Sequence, residues 1–334
     1  MPKVSVVMPS YNVEAFIAGA IKSVLNQSFT DFELLIVDDG STDGTRAIYE
    51  SFNDCRIRVV RQKNRGLAGA RNAGIRESRG DYLAFLDADD RWRDDKLSRH
   101  VAHLDRDPSV GVSFSASQFM GEDGSLLELF QQPKLTGLNA DSILCRNPIG
   151  NGSAPVIRRE TLLEVSKLDT RYGAPEPVVF DPDFRQSEDI ECWVRIAATT
   201  HWRFEGLPEP LTLYRLNSGG LSASVDKQLA SWERFIDKAS RYAPALIQRS
   251  ANIARAYQYR YLARRSIWSG EAALACRMMT RALISDRRIL WREPGRTLST
   301  LFASVLQYCL PLRWYRGLET LAIKTQRASR RSQA

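Results

Sequence analysis

The chain has 334 residues, 43% of them hydrophobic and 26% charged, which suits one large globular domain or two smaller ones. Its five cysteines (Cys55, Cys145, Cys192, Cys276, Cys309) are odd in number, widely spaced and without a CxxC pair, which argues against a disulfide framework or a cysteine zinc site and for a reducing compartment. The net charge of +8 is unevenly placed: residues 226–334 hold 21 basic against 7 acidic side chains, a net of +14, whereas residues 1–225 carry −6.

The opening "MPKVSVVMPSYN" has an apolar run of five residues before Pro9, too short for the core of a secretory signal, so a cytoplasmic protein is expected. Val4 to Met8 is a β-branched run closed by Pro9 and fits a buried parallel strand. From Val13 the apolar residues Phe16, Ile17, Ala20, Ile21, Val24 and Leu25 recur at helical spacing, with Asn12 as the expected N-cap. "FELLIV" (32–37) predicts a second strand, "DDGSTDGT" a turn into a helix near 44–52, and "IRVV" (57–60) a third strand. After a loop at Asn64-Arg65-Gly66 a helix runs through "LAGARNAGIRES", and residues 82–86, "YLAFL", form the fourth strand. This alternation predicts an α/β fold with a mostly parallel sheet covered by helices on both faces. In such a sheet, ligands bind beyond the carboxyl ends of the strands, where strand order reverses. Pro9-Ser10-Tyr11-Asn12, Asp38-Asp39-Gly40 and Asp87-Ala88-Asp89-Asp90 follow the first, second and fourth strands, so three polar clusters converge on one edge.

After residue 105 the pattern changes. "VGVSFSASQFMGEDGSLLELF" reads as a hairpin turning at Asp123-Gly124, and "NPIGNGSAPVIRRETL" as a loop, a short strand and a helix start. Ser187 is the expected N-cap of a helix through "EDIECWVRIAAT" that buries Ile190, Trp193, Val194 and Ala197. "LTLYRLN" (211–217) is a late strand. Beyond Asp226 the sequence offers helices, two of them breaking near Ser269-Gly270 and packing as a hairpin. "LSTLFASVLQYCLPL" (298–312) is apolar but shorter than the ~20 residues of a spanning helix. An interfacial helix with basic flanks and a plain packed helix both fit it. The basic tail likewise fits an anionic surface, nucleic acid or phospholipid, or a solvated helical face.

The carboxylates carry the chemistry. In an extended segment Asp87 and Asp89 share a face while Ala88 points back, and like charges that close call for a cation. Mg²⁺ or Mn²⁺ bound to a diphosphate answers, because Mg²⁺ takes only one or two carboxylates plus phosphates and water. A calcium loop fails on spacing, with Trp92 where glycine and Ser98 where glutamate would stand. "GLAGARNAG" lacks GxGxxG, so a dinucleotide site fails too. His100 and His103 have no third ligand nearby and read as surface residues.

"VSVVMPSYN", "LLIVDDGSTDGT", "GLAGARNAGI", "YLAFLDADD" and "SEDIECWVRI" together resemble the family 2 glycosyltransferases of the GT-A fold, over residues 3–222 and in the family's order. The resemblance implies a glycosyltransferase domain over 1–225 and a basic helical region over 226–334. It implies that Pro9, Tyr11, Asn12 and Glu14 line a nucleotide pocket, that Asp39 beside Asp38 accepts from uracil or thymine N3–H, and that Gly66, Arg71 and Asn72 lie over base and donor sugar. Asp87, Ala88 and Asp89 match the family's DxD motif, which holds a divalent metal, Mn²⁺ or Mg²⁺, on the diphosphate. Glu188-Asp189 matches its acidic pair, with Asp189 as general base. Trp193 lies one turn beyond Asp189 on the same helical side, where it fits either packing under the acceptor sugar or a buried structural role. Relatives carry a histidine where this chain has Asn217, a weaker ligand for transition metals.

The expected activity is inverting, metal-dependent transfer from a nucleotide-sugar, a UDP-sugar, to a hydroxyl of a glycan or lipid-linked saccharide in polysaccharide biosynthesis. The expected place is the cytoplasm, peripheral at the inner face of the plasma membrane where the tail meets anionic lipid. The alternatives are a non-catalytic nucleotide-sugar-binding member of the fold and a nucleic-acid-binding protein acting through the tail. The latter leaves the converging clusters unexplained, so no nucleic acid is expected.

Overall fold

The computed structural model describes residues 1–216 and 225–310. The front of the chain runs β1 (Val4–Ser10), α1 (Ile17–Leu25), β2 (Phe32–Asp38), α2 (Thr45–Glu50), β3 (Ile57–Arg61), α3 (Gly66–Glu77) and β4 (Tyr82–Phe85). There follow β5 (Arg91–Trp92), α4 (Lys96–Arg106), the hairpin β6 (Val110–Met120) and β7 (Leu126–Gln131), α5 (Ala140–Cys145), β8 (Val156–Arg158) and α6 (Arg159–Glu164). The short strands β9 (Lys167–Asp169) and β10 (Glu176–Val178) pair with each other, and α7 (Glu188–Thr199) leads into β11 (Arg203–Arg215). The remainder is helical: α8 (Val225–Tyr242), α9 (Pro244–Trp268), α10 (Ala272–Ser285), α11 (Ile289–Arg292) and α12 (Pro294–Cys309).

The main sheet has the order β3-β2-β1-β4-β8-β6-β11-β5, with β7 paired to β6. It is parallel across β3, β2, β1 and β4, and mixed beyond. Register aligns Ser10 of β1 with Asp38 of β2, so the strand ends that carry the polar clusters open on one edge. Strand order reverses between β1 and β4, which is where a crevice forms in an open sheet.

Every residue of β1 and β2 is buried, as sheet strands covered on both faces require. One face packs Val4, Val6 and Met8 against Ile17, Ile21 and Val24 of α1 and Leu97, Val101 and Leu104 of α4. The other takes α3, where Gly74 lies so close to β1 that a Cβ would sit 2.2 Å from Val7 Cγ1. Phe85, Phe180 and Trp193 then form an edge-to-face row, with centroids 5.4 and 5.9 Å apart, a geometry favoured by ring quadrupoles.

Three local expectations are corrected. Asn12 does not cap α1, which begins at Ile17 after Phe16. Asn12 instead sits at φ 51° and accepts from the Thr42 N–H at 2.8 Å, fixing the loop after β2. Ser187 does precede α7, but its φ of 65° takes it out of the usual N-cap conformation and its side chain makes no cap bond. That helix buries Cys192, Trp193, Val194 and Ile196, while Ile190 and Ala197 are only partly covered.

The described residues form two compact units, 1–216 with 230–247 and 225–229 with 248–310, whose boundaries fall within α8 and α9. In the second, Leu262 and Ala263 of α9 pack with Met278 and Met279 of α10. The break between those helices falls at Ser269-Gly270, with Gly270 at φ 79°, as the sequence predicts. No described helix is long and apolar enough to cross a membrane.

Candidate active site

Two loops form the β1/β2 side of the edge. Asp39 is buried, its N–H bonded to the Ser10 carbonyl, and its carboxylate takes three donors: Gln62 Nε2 at 2.7 Å and the N–H groups of Arg65 and Gly66 at 2.8 Å each. A carboxylate has about four lone-pair positions, so one acceptor position remains. Burial raises the Asp39 pKa despite these bonds. Asp38 turns the other way, accepting from Ser41 N–H at 2.9 Å and from Tyr49 Oη at 2.9 Å, so its carboxylate braces the loop. Glu14 similarly takes the Gly44 N–H at 2.6 Å. Pro9 is buried in β1 opposite Val37, and Tyr11 is 49% exposed.

The β4 side is a charged constellation. Arg71, buried on α3, donates through Nη2 to Asp87 Oδ1 at 2.8 Å and through Nη1 to Glu188 Oε1 at 2.9 Å. One guanidinium thus joins the loop after β4 to the first turn of α7. Burial opposes its charge, but Asp87, Glu188 and Asp189 together hold its pKa above the ordinary arginine value. Glu188 is pushed up to about 7 by burial, against the pull of Arg71. Asp189, which keeps some accessible surface, is also raised, by burial first and with Arg71 opposing, and it feels the charge of Asp87. Perturbed carboxyls clustered at a strand-end crevice are a functional-site signature. The two non-glycine residues with left-handed φ among the described residues, Asn12 and Ser187, both border this edge, and such strain concentrates at sites.

The loop after β4 is a turn rather than an extended segment, closed by Asp90 N–H to Asp87 O at 2.9 Å. Ala88 is buried beneath it, and Asp87 and Asp89 are partly exposed. Asp90 is buried, and its pKa is raised well above the usual range by burial and by the Asp89 and Asp87 charges. Among the described residues no three His, Cys, Asp or Glu side chains could hold a metal together. Two hard, partly exposed carboxylates on one turn nevertheless fit Mg²⁺ or Mn²⁺, which need only one or two protein carboxylates when phosphate supplies the rest. Asn217 lies outside the described residues.

A family model described as glycosyl transferase family 2 matches residues 5–165. A Bacillus subtilis protein named as a teichuronic acid biosynthesis glycosyltransferase, TuaG, is 34% identical over 227 residues, covering 67% of this chain and 82% of that one. The chain belongs to the family 2 glycosyltransferases. This transferase is also 30% identical over 228 residues to an Escherichia coli enzyme, UDP-Glc:alpha-D-GlcNAc-diphosphoundecaprenol beta-1,3-glucosyltransferase WfgD, covering 68% of this chain and 82% of that one. Its fold is that of the GT-A transferases. The mannosyltransferase PcManGT of Pyrobaculum calidifontis, crystallised with GDP-Man and Mn²⁺, superposes with a TM-score of 0.55 at 20% identity over 92% of this chain and 86% of that one. The family match ends before α7, so the Glu188-Asp189 pair rests on its geometry.

The readings of Asn72, His100 and His103 in this transferase change, and Trp193 and Arg215 find structural roles. Asn72 is turned away from the cleft: its Oδ1 accepts from the N–H groups of Val179 and Phe180 at 2.9 Å each, and its Nδ2 donates to Phe180 O at 2.6 Å. Trp193 is 1% exposed against Phe180, which fits the buried structural reading and leaves no ring face for an acceptor. Arg215 uses Nε on Asp89 O and Nη1 on the Gly121 and Glu122 carbonyls, at 2.7, 3.0 and 2.6 Å, so it fastens the turn. His100 and His103 are buried rather than on the surface, both bonded through Nδ1 to Ser113 Oγ at 2.7 and 2.8 Å.

Sequence reasoning also missed the supports behind the turn. Ser153 Oγ donates to Asp90 Oδ2 at 2.6 Å and lies 3.0 Å from the Asp87 N–H that bonds to it. Gly152 is packed so tightly that a Cβ would lie 2.1 Å from Arg71 Nη2 and 3.0 Å from Asp87 Oδ2. Lys96, fully buried, donates to Ala154 O at 2.7 Å and contacts Thr212 Oγ1 at 3.2 Å. Burial lowers its pKa well below the ordinary lysine value. A signal was present: Lys96, His100 and His103 share the helical side of Leu97, Val101 and Leu104, the apolar stripe of α4.

Proposed function

We propose that the chain is an inverting, divalent-metal-dependent glycosyltransferase that moves a sugar from a UDP-sugar to a hydroxyl of a glycan or lipid-linked saccharide in polysaccharide biosynthesis. One observation carries this reading: Arg71 bonds both Asp87, on the donor-side turn, and Glu188, the neighbour of Asp189 on α7. In this reading Asp189 removes the proton from the acceptor hydroxyl. The freed oxygen attacks the anomeric carbon opposite the leaving group, and the breaking C–O bond leaves its electron pair on the nucleoside diphosphate. A raised carboxyl pKa suits a base that must accept a proton near neutral pH. Arg71 keeps Glu188 and Asp87 oriented while its charge favours the ionised form of Asp189. Asp87 and Asp89 would hold the divalent ion, which when bound offsets the negative charge growing on the diphosphate. The remaining acceptor position of Asp39 suits the N3–H of uracil, in keeping with the UDP-Glc donor in the name of WfgD. Its diphosphoundecaprenol acceptor motivates the lipid-linked alternative here.

A nucleotide-sugar panel read by thermal shift and by nucleoside diphosphate release tests the proposal. UDP-sugars should raise Tm in Mn²⁺ or Mg²⁺, and chelation should remove the increment. A shift given equally by every nucleotide, or untouched by chelation, would defeat it.

A further inference from the structure

Helix α12 divides its apolar residues between two sides. Leu301, Ala303 and Leu306 pack partly buried against the helical unit, but the fully buried positions are the polar Thr297, Thr300, Ser304 and Gln307, three and four residues apart and so on one side. Those four bond within the helical unit. Thr297 Oγ1 accepts from Arg260 Nη1 at 2.7 Å and donates to the Glu293 carbonyl, Ser304 Oγ donates to Thr300 O at 2.8 Å, and Gln307 Nε2 donates to Ile267 O at 2.9 Å. The outer side presents Leu298, Phe302, Val305 and Tyr308, with exposures of 54%, 68%, 47% and 64%, and Trp291 just before the helix is 82% exposed. A surface helix ordinarily turns its apolar stripe inward, and a contiguous apolar stripe left outside marks an interaction surface.

Charge selects the occupant. Arg287, Arg292 and Arg296 are exposed at the same end, within a region of net charge +14. A second copy packed parallel along the stripe would set these arginines against one another, at a repulsive cost, and one packed antiparallel would leave them without an anionic partner. An anionic bilayer accepts both features: its acyl boundary takes the apolar side chains and its headgroup phosphates take the arginines. With 16 residues and no described helix long and apolar enough to span, α12 is suited to lie in the interface.

We propose that α12 docks in the plane of an anionic lipid surface, inserting Leu298, Phe302, Val305 and Tyr308, with Trp291 at headgroup level and Arg287, Arg292 and Arg296 on lipid phosphates. This inference stands apart from the donor-site reading, because binding is measured without nucleotide. The test is flotation of the full chain with phosphatidylcholine vesicles, with and without phosphatidylglycerol. The chain should float with the anionic vesicles only, and less in high salt. The double variant Phe302→Asp, Val305→Asp should lower the bound fraction by roughly tenfold or more at unchanged Tm, and Leu298→Ala with Phe302→Ala should lower it less. Absence of flotation, or equal flotation of the aspartate variant, would overturn the proposal. So would a wild-type dimer that the variant dissociates, which assigns the stripe to a second copy.

Discussion

At the carboxyl edge of β1, β2 and β4, buried polar groups come from segments far apart in the chain and surround a crevice. In α12, buried polar groups come from neighbouring helices and leave an apolar stripe outside. Both regions pair most of their hidden donors and acceptors, as buried polar groups tend to be; Arg71 Nε and Ser10 Oγ at the edge and Gln307 Oε1 in α12 are exceptions. What distinguishes them is the remainder. The edge keeps two partly exposed carboxylates, Asp87 and Asp89, on one turn, which suits a cation and phosphate. The helix is left with Leu298, Phe302 and Val305 in water, which calls for an apolar surface. Buried groups report how a region is built, and exposed ones report what it meets.

The sharpest test of the edge is Asp189→Asn. Asparagine cannot take the proton, so turnover should fall by about 10²–10⁴-fold, while the Tm increment given by UDP-sugar persists. Full turnover in that variant would detach α7 from the chemistry.

Next comes Gly152→Ala, whose methyl would press on Arg71 and Asp87. Displacing that pair by about an ångström should cost roughly 10²-fold in turnover, with ~1–3 kcal/mol of stability lost to overpacking. Normal kinetics would mean that the Arg71 bridge is dispensable.

Lys96→Met removes the donor from the Ala154 carbonyl at nearly constant volume and should cost about 1–3 kcal/mol. It should also change the pH dependence. Between the lowered native pKa of Lys96 and the ordinary 10.5, the unfolded chain binds a proton that the folded chain does not, so stability rises with pH across that window and is lost as pH falls through it. Denaturant titrations at a series of pH values should show the variant with a flatter slope.

The smallest effect belongs to α12. Phe302→Asp lies on an exposed face and should change folding stability by no more than about 0.5 kcal/mol, leaving nucleotide-sugar binding as it was. A large loss of stability there would mean that the stripe is covered within the chain, erasing the contrast between the two regions.

Much of the front was legible from sequence because its strands are short apolar runs ending in charge, and its helices repeat at 3.6 residues. Asp39 and Asp87 could be named from clusters at strand ends, whereas Arg71, Glu188 and Asp189 were legible only through the family resemblance; the fold brings Arg71, Asp87 and Glu188 into one bonded group. What stayed hidden was direction. Asn72 turns toward Phe180, 108 residues away, and no local pattern records that partner. His100 and His103 are covered because Ser113 of β6 lies against α4, a tertiary event that polarity alone misjudges. The tail reading found the apolar segment near 298–312 but could not tell which side of it faces in, since Arg260 and the Ile267 carbonyl decide that from another helix.

Lys96, Arg215 and Asn72 share a habit: each grips main-chain carbonyl oxygens, those of Ala154, of Asp89, Gly121 and Glu122, and of Phe180. A carbonyl is present whichever amino acid carries it. The grip therefore rests on the three grasping side chains, while the residues they grasp contribute only main chain to it. Asp89 thus anchors the turn through its carbonyl, whatever its carboxylate does.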